Sequence, residues 1–315
     1  MDYTLLAAAL LIGCLLAVQA SVNMQLNVAV GTPYGASTVQ LSVATGLLVI
    51  VGVIAGVFGV YDRLADVPAW HLLGGLASPL YITSGILLFP RIGALAAVGL
   101  FVTGQMFASL ALDLFGLLGV VRQPVSIGIV IGAVAVLVGI TIVLRGAKQA
   151  QGAGGPGTAQ VSAAGRVGWI VLGLVAGAVL PIQGAVNGRL RADLKEPLAV
   201  GLFSFIVATL TILIVLLVLM ATKKTPAPKL NALGKVPWWG WLGGACAAVY
   251  VIATFMLIPR IGAATTIALT VTGQQLASAL IDHFGLFRLP KRPLNAARLT
   301  GLGLLIAGSL AIQLL

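Results

Sequence analysis

Apolar residues run almost unbroken along this chain, and polar residues gather at the breaks. Ten apolar runs stand out, at 4–22, 36–60, 70–89, 92–112, 125–144, 167–186, 198–221, 238–258, 261–281 and 299–315. A helix needs roughly 20 residues to cross ~30 Å of hydrocarbon, and all ten runs qualify, the last being short. None shows the strict alternation of a membrane barrel. A helix also satisfies its own backbone hydrogen bonds, as lipid demands. The pattern predicts an all-α polytopic membrane protein with ten transmembrane helices.

Composition supports lipid as the partner. Only 8% of the residues are charged and 60% are hydrophobic, whereas a soluble domain carries about 25% charged residues. The 18 Lys and Arg against 7 Asp and Glu would also suit a nucleic-acid partner. The basic residues lie between the runs, however, where positive charge sets topology, so no nucleic acid is expected. If the runs alternate, the loops near Arg91, Arg145–Arg166, Lys223–Lys235 and Arg288–Arg298 share one side with 12 basic residues, against 6 on the other. The richer side is then cytoplasmic, with both termini outside. Cys14 and Cys246 sit inside apolar runs and read as packing residues. LIGC at 11–14 and AVQA before Ser21 imitate targeting signals. The chain opens Met1-Asp2 without the positive region a signal peptide wants, so this segment reads as part of the fold.

The chain also repeats itself. PRIGALAAVGLFVTGQMFASLALDLFG at 90–116 returns as PRIGAATTIALTVTGQQLASALIDHFG at 259–285. A shift of 169 pairs Trp70 with Trp239, Gly74-Gly75 with Gly243-Gly244, Tyr81 with Tyr250, Asp113 with Asp282 and Pro124 with Pro293. Earlier in each half a shift of 164 pairs Gly13 with Gly177, Gln19 with Gln183 and Asn23 with Asn187. The extra five residues fit the lysine-bearing loop 223–235. The expected organisation is a first five-helix repeat at 1–145, a Gly-rich linker at 146–166 and a second five-helix repeat at 167–315. Five is odd, so the second half must enter the membrane from the opposite side. Two inverted five-helix repeats result, a plan common in secondary transporters, with the site near the midplane.

Polar residues inside the runs name the candidate site. On a helix, Gln105, Ser109 and Asp113 share one face, as do Gln274, Ser278 and Asp282. Lipid offers such side chains no partner, so they face another helix or a cavity. Gln105 and Gln274 either stitch helices together or hydrogen-bond a solute. Gln19/Asn23 and Gln183/Asn187 lie near their expected helix ends, and either cap them or line the cleft. Arg91 and Arg260, in the two PRIG turns, either snorkel to headgroups or serve gating and charge. Asp113 and Asp282 are the candidates for proton coupling. Pro79 and Pro181 fall mid-span without counterparts, and His71 and His283 fall near span ends. Glycine pairs at 52/56, 173/177 and 240/244 permit close helix contact. The sequence holds no GxxxxGK[ST] phosphate loop, no HExxH or Cys/His metal cluster and no GxSxG elbow. ATP-driven transport, metal or cofactor chemistry and hydrolysis are therefore not expected.

The doubled pattern GG…Y…PRIG…TGQ…S…D…FG resembles the YdcZ-like branch of the drug/metabolite transporter superfamily. The resemblance covers both halves, as if two five-span units were fused. It implies a bacterial inner-membrane protein and an exporter-like carrier that moves small organic solutes by alternating access, as a monomer or homodimer. Small multidrug-resistance relatives use a glutamate in their first helix, and here that helix offers only Gln19 and Asn23. Proton-coupled export of lipophilic cations is therefore not what the resemblance implies. A channel or a non-transporting membrane adaptor is the alternative.

Overall fold

The computed structural model describes residues 3–122, 124, 126–152 and 163–314, and among them every regular element is helical. The α-helices are α1 (Tyr3–Val30), α2 (Pro33–Ala55), α3 (Ser78–Ile92), α4 (Ala94–Phe115), α5 (Ile127–Gly152), α6 (Ala163–Leu194), α7 (Pro197–Ala221), α8 (Leu242–Ile261), α9 (Ala263–Phe284) and α10 (Ala296–Leu314). Among the described residues, eight helical stretches are long and apolar enough to cross a membrane. The spans containing α3 and α8 begin in 3₁₀ turns, from Ala69 and from Trp238. α9 is not among the eight, with Gln274 and Gln275 at its middle, and the apolar part of α10 is shorter, at Ala296–Ile312.

Several boundaries move from their expected places. α1 and α6 run on to Val30 and Leu194. Gln19/Asn23 and Gln183/Asn187 are thus interior to their helices, and the capping reading fails for them. Pro79 lies in the first turn of α3, where proline is tolerated because its missing N–H has no partner there anyway. Pro181 is inside α6. Of the expected linker, 146–152 and 163–166 are helical, and 153–162 lie outside the described residues.

Both PRIG sequences make the same joint. Pro90 and Pro259 sit in the last turns of α3 and α8 without ending them. The single glycine that follows does the turning: Gly93 has φ 92°, ψ 159° and Gly262 has φ 85°, ψ 156°. That region is essentially restricted to glycine. One residue therefore joins two long helices, which fixes α4 against α3 and α9 against α8.

Packing runs between the sequence halves as much as within them. α1 lies along α8 and α9, and α6 lies along α3 with its leading 3₁₀ turn and α4. α2 meets α8, and α7 meets that same 3₁₀ turn. α2 faces α7, α4 faces α9 and α5 faces α10. Glycines set the closest crossings. Gly13 of α1 sits on the backbone of Thr270 in α9, and Gly273 on the backbone of Leu10. At the equivalent positions, Gly177 of α6 sits on the backbone of Phe101 in α4, and Gly104 on that of Leu174. A β-carbon at any of the four would collide with main chain, so only glycine permits these approaches. The main core, with Leu41, Phe89, Phe101 and Ile212, fills the space between the central helices. A second cluster, including Leu95, Val136 and Leu305, seats the α5–α10 pair on α4.

Candidate functional site

The helices that cross on glycine also enclose space. A cavity of about 520 Å³ is lined by residues of α1, α3, α4 and α6–α9, within the range of small-molecule sites. Gln19, Gln105, Gln183, Asn187 and Gln274 line it, so the structure brings five of the six predicted solute contacts together. Gly104 places α4 on α6, and the next residue, Gln105, faces the cavity. Among the described residues no hydrogen-bond partner is found for the Gln105 carboxamide. Gln274 donates through Nε2 to the Tyr81 hydroxyl at 2.7 Å. Gln183 Oε1 accepts from Ser78 at 3.0 Å, and Asn187 Nδ2 donates to Ser204 at 3.1 Å. The tyrosines and serines were not proposed as site residues. For the tyrosines the repeat itself is the signal, since it pairs Tyr81 with Tyr250, and both line the cavity; Ser78 and Ser204 have no serine counterparts.

Asn23 is the exception. It is buried off the cavity against Gly243 of α8, with Oδ1 unpartnered. Its counterpart Asn187 packs in the same way against Gly74, yet also reaches the cavity.

The two ends of the cavity differ. At one end its lining includes Asp113 and Val120 around the end of α4, Arg191 near the end of α6, and Ile258 and Thr266 on either side of the 262 turn. Ser109, one helical turn before Asp113, lines the cavity beside it. Among the described residues, a β-carbon at Gly262 would meet nothing within 4 Å. At the other end none of residues 282–298 lines the cavity. Asp282, 1% exposed, accepts from the backbone N–H groups of Ala94 (2.7 Å) and Leu95 (3.2 Å), the first residues of α4. A carboxylate there meets the positive end of the helix dipole and orphan donors together. The Arg298 guanidinium, 0% exposed, meets the same carboxylate at 2.5 Å. Arg292 donates to the carbonyls of Pro90 (3.0 Å) and Arg91 (3.3 Å), and Arg298 donates to the Arg292 carbonyl. Burial lowers the proton affinity of Arg292, and the Asp282 charge opposes that shift.

The two PRIG arginines stand away from the cavity lining. The Arg91 side chain is exposed, donates to the Leu87 carbonyl at 2.5 Å and lies 4.5 Å from the Trp169 ring centroid. Arg260 is exposed as well. The turn after Arg91 is held through its backbone, which no reading of side-chain chemistry would have found. His71 pairs with Asp193 at 2.5 Å, and His283 accepts from the backbone N–H of Leu294 at 3.2 Å, so both histidines have local structural partners. Among the described residues no group of three or more His, Cys, Asp or Glu could hold a metal.

Comparison with known proteins agrees with this architecture. A solved crystal structure superposes with a TM-score of 0.57 at 18% identity, covering 97% of this chain and 96% of the other, a likeness of fold. No curated protein matches the chain. The family model described as "Putative inner membrane exporter, YdcZ" matches twice, over residues 4–142 and 168–311. The chain carries two YdcZ units in one polypeptide, and it belongs to this drug/metabolite transporter family of multi-pass inner-membrane proteins.

Proposed function

We propose that the protein is a secondary carrier that moves a small organic solute out of the cell by alternating access. The observation that carries this reading is the cavity: it is lined from both halves, its lining runs to Asp113, Val120 and Arg191 at one end, and it includes neither Asp282 nor Arg298, which pair at the other. In this reading all ten helices span, α9 and α10 included. Units 1–145 and 167–315 are then inverted repeats, joined by the 146–166 linker. The reciprocal packing of α1 on α9 and α6 on α4 supports that symmetry. So does the contrast between Gly93, crowded by Asp282 and Arg292, and Gly262, which is not crowded. The excess of basic residues on the Asp282 side makes that side cytoplasmic.

Inverted halves suggest how the access switches. Gln274–Tyr81 and Asp282 with the start of α4 are joined now. Among the described residues, their counterparts, Gln105 with Tyr250 and Asp113 with the start of α9, make no such hydrogen bond in this conformation. The opposite state exchanges the two sets: Asp113 closes on α9 as Asp282 leaves α4. Asp113, rather than the ion-paired Asp282, is then the stronger candidate for a coupled proton. Gln19, Gln105, Gln183, Asn187 and Gln274 contact the solute. Asn23 joins them only when the Asp282 end opens. Arg91 and Arg260 hold charge at the two faces. One chain supplies both halves, so a monomer suffices.

A pair of conservative substitutions tests the switch. In a chain with Cys14 and Cys246 replaced by Ala, Ser109→Cys and Ser278→Cys would be probed separately with an impermeant thiol reagent. Ser109 lines the cavity and Ser278 is fully buried. The expected result is labelling of Ser109→Cys from the periplasmic side, and labelling of Ser278→Cys only from the cytoplasmic side when transported solute is present. Permanent labelling of both from both sides would indicate a channel. Permanent protection of Ser278→Cys, with no flux in proteoliposomes, would indicate an adaptor.

A further inference from the structure

The charge pattern of the cavity restricts what it can hold. Of the described residues that line it, only Asp113 and Arg191 carry formal charge, and the two signs cancel. Both stand at the same end, near the last residues of α4 and α6. Gln105 lies eight residues before Asp113, roughly 12 Å deeper at 1.5 Å per residue. At that depth the polar groups are neutral: the carboxamides of Gln19, Gln105 and Gln274 and the phenols of Tyr81 and Tyr250. Between them the wall is apolar, with Leu16, Ile82, Met106 and Val251.

A bare charge in this interior would have no counter-ion, and charge far from water within a membrane is expensive. A solute with only apolar surface would leave the Gln105 carboxamide without a partner. Resting on the carrier reading above, we infer that the cavity takes a solute of zero net charge, with an apolar body and an amide or hydroxyl group that Gln105 and Gln274 hydrogen-bond. Asp113 and Arg191 keep the mouth hydrated and do not select for either sign of charge.

The test needs no transport. Purified full chain carrying Ser109→Cys, with Cys14 and Cys246 replaced by Ala, is alkylated with N-ethylmaleimide in the presence of matched small molecules. The neutral members are benzamide, benzyl alcohol and hexanamide; the charged members are benzyltrimethylammonium and benzenesulfonate. Neutral members are expected to protect the thiol at concentrations roughly 100-fold below the charged ones, the factor that corresponds to placing an unpaired charge in a membrane interior. Gln105→Glu should reverse the order, so that benzyltrimethylammonium protects best. Equal or better protection by either charged compound in the original chain overturns the inference, as does protection by no neutral compound. An unchanged order in Gln105→Glu overturns it too. A charged compound that both protects and drives the Ser109/Ser278 exchange would leave the carrier intact and remove only the neutral class.

Discussion

At the scale of single residues, the repeat assigns the same letters to both halves, and the fold gives them different work. Asp113 and Asp282 are one example. Asp113 lines the cavity, whereas Asp282 is locked between Arg298 and the first N–H groups of α4. Part of that difference was readable: Arg292 and Arg298 have Gln123 and Ile129 at the matching sequence positions. What no sequence pattern shows is that a carboxylate at 282 meets a helix start at 94. The five cavity-lining carboxamides were legible because lipid penalises unpaired amides, which makes each one conspicuous. Arg298→Leu should destabilise the protein by about 3 kcal/mol, since it strands a buried carboxylate. Adding Asp282→Asn should recover a large part of the loss, because Asn can still accept from Ala94. Unfolding of the detergent-solubilised variants checks both. An unchanged stability in Arg298→Leu would contradict the buried pair.

At the scale of elements, helix count and helix position were legible to different degrees. Each of the ten apolar runs overlaps an α-helix, although among the described residues eight stretches meet the length and composition of a span. Helix ends were not legible, because α1 and α6 continue through the polar residues Asn23 and Asn187 that would ordinarily signal a boundary. Buried packing against Gly243 and Gly74 holds those residues in helix. Glycine spacing was a mixed guide. Gly173 and Gly177 do lie on the α4 crossing, but Gly56 meets nothing, and the decisive Gly104 and Gly273 carry no GxxxG signature. Gly104→Leu and Gly273→Leu should each force two backbones apart and abolish the monodisperse folded species in size-exclusion chromatography. Gly184→Leu, where nothing lies within 4 Å, should leave the elution profile unchanged. A normal profile for Gly104→Leu would contradict the close crossing of α4 on α6.

At the scale of the whole molecule, the repeat foretold twin units but not their interleaving. Helices from both halves build the cavity wall, and the α1–α9 and α4–α6 crossings join one half to the other. Five-helix halves related by inversion would make open and sealed ends interconvertible by exchanging equivalent contacts, which is the physical basis of the carrier reading. That relation is open to direct measurement. Arg91→Cys and Arg260→Cys, both at exposed positions beside the turning glycines, would be labelled with an impermeant reagent in oriented membrane vesicles. Inverted halves predict opposite faces, Arg91→Cys cytoplasmic and Arg260→Cys periplasmic. Labelling of both from one face would contradict the account.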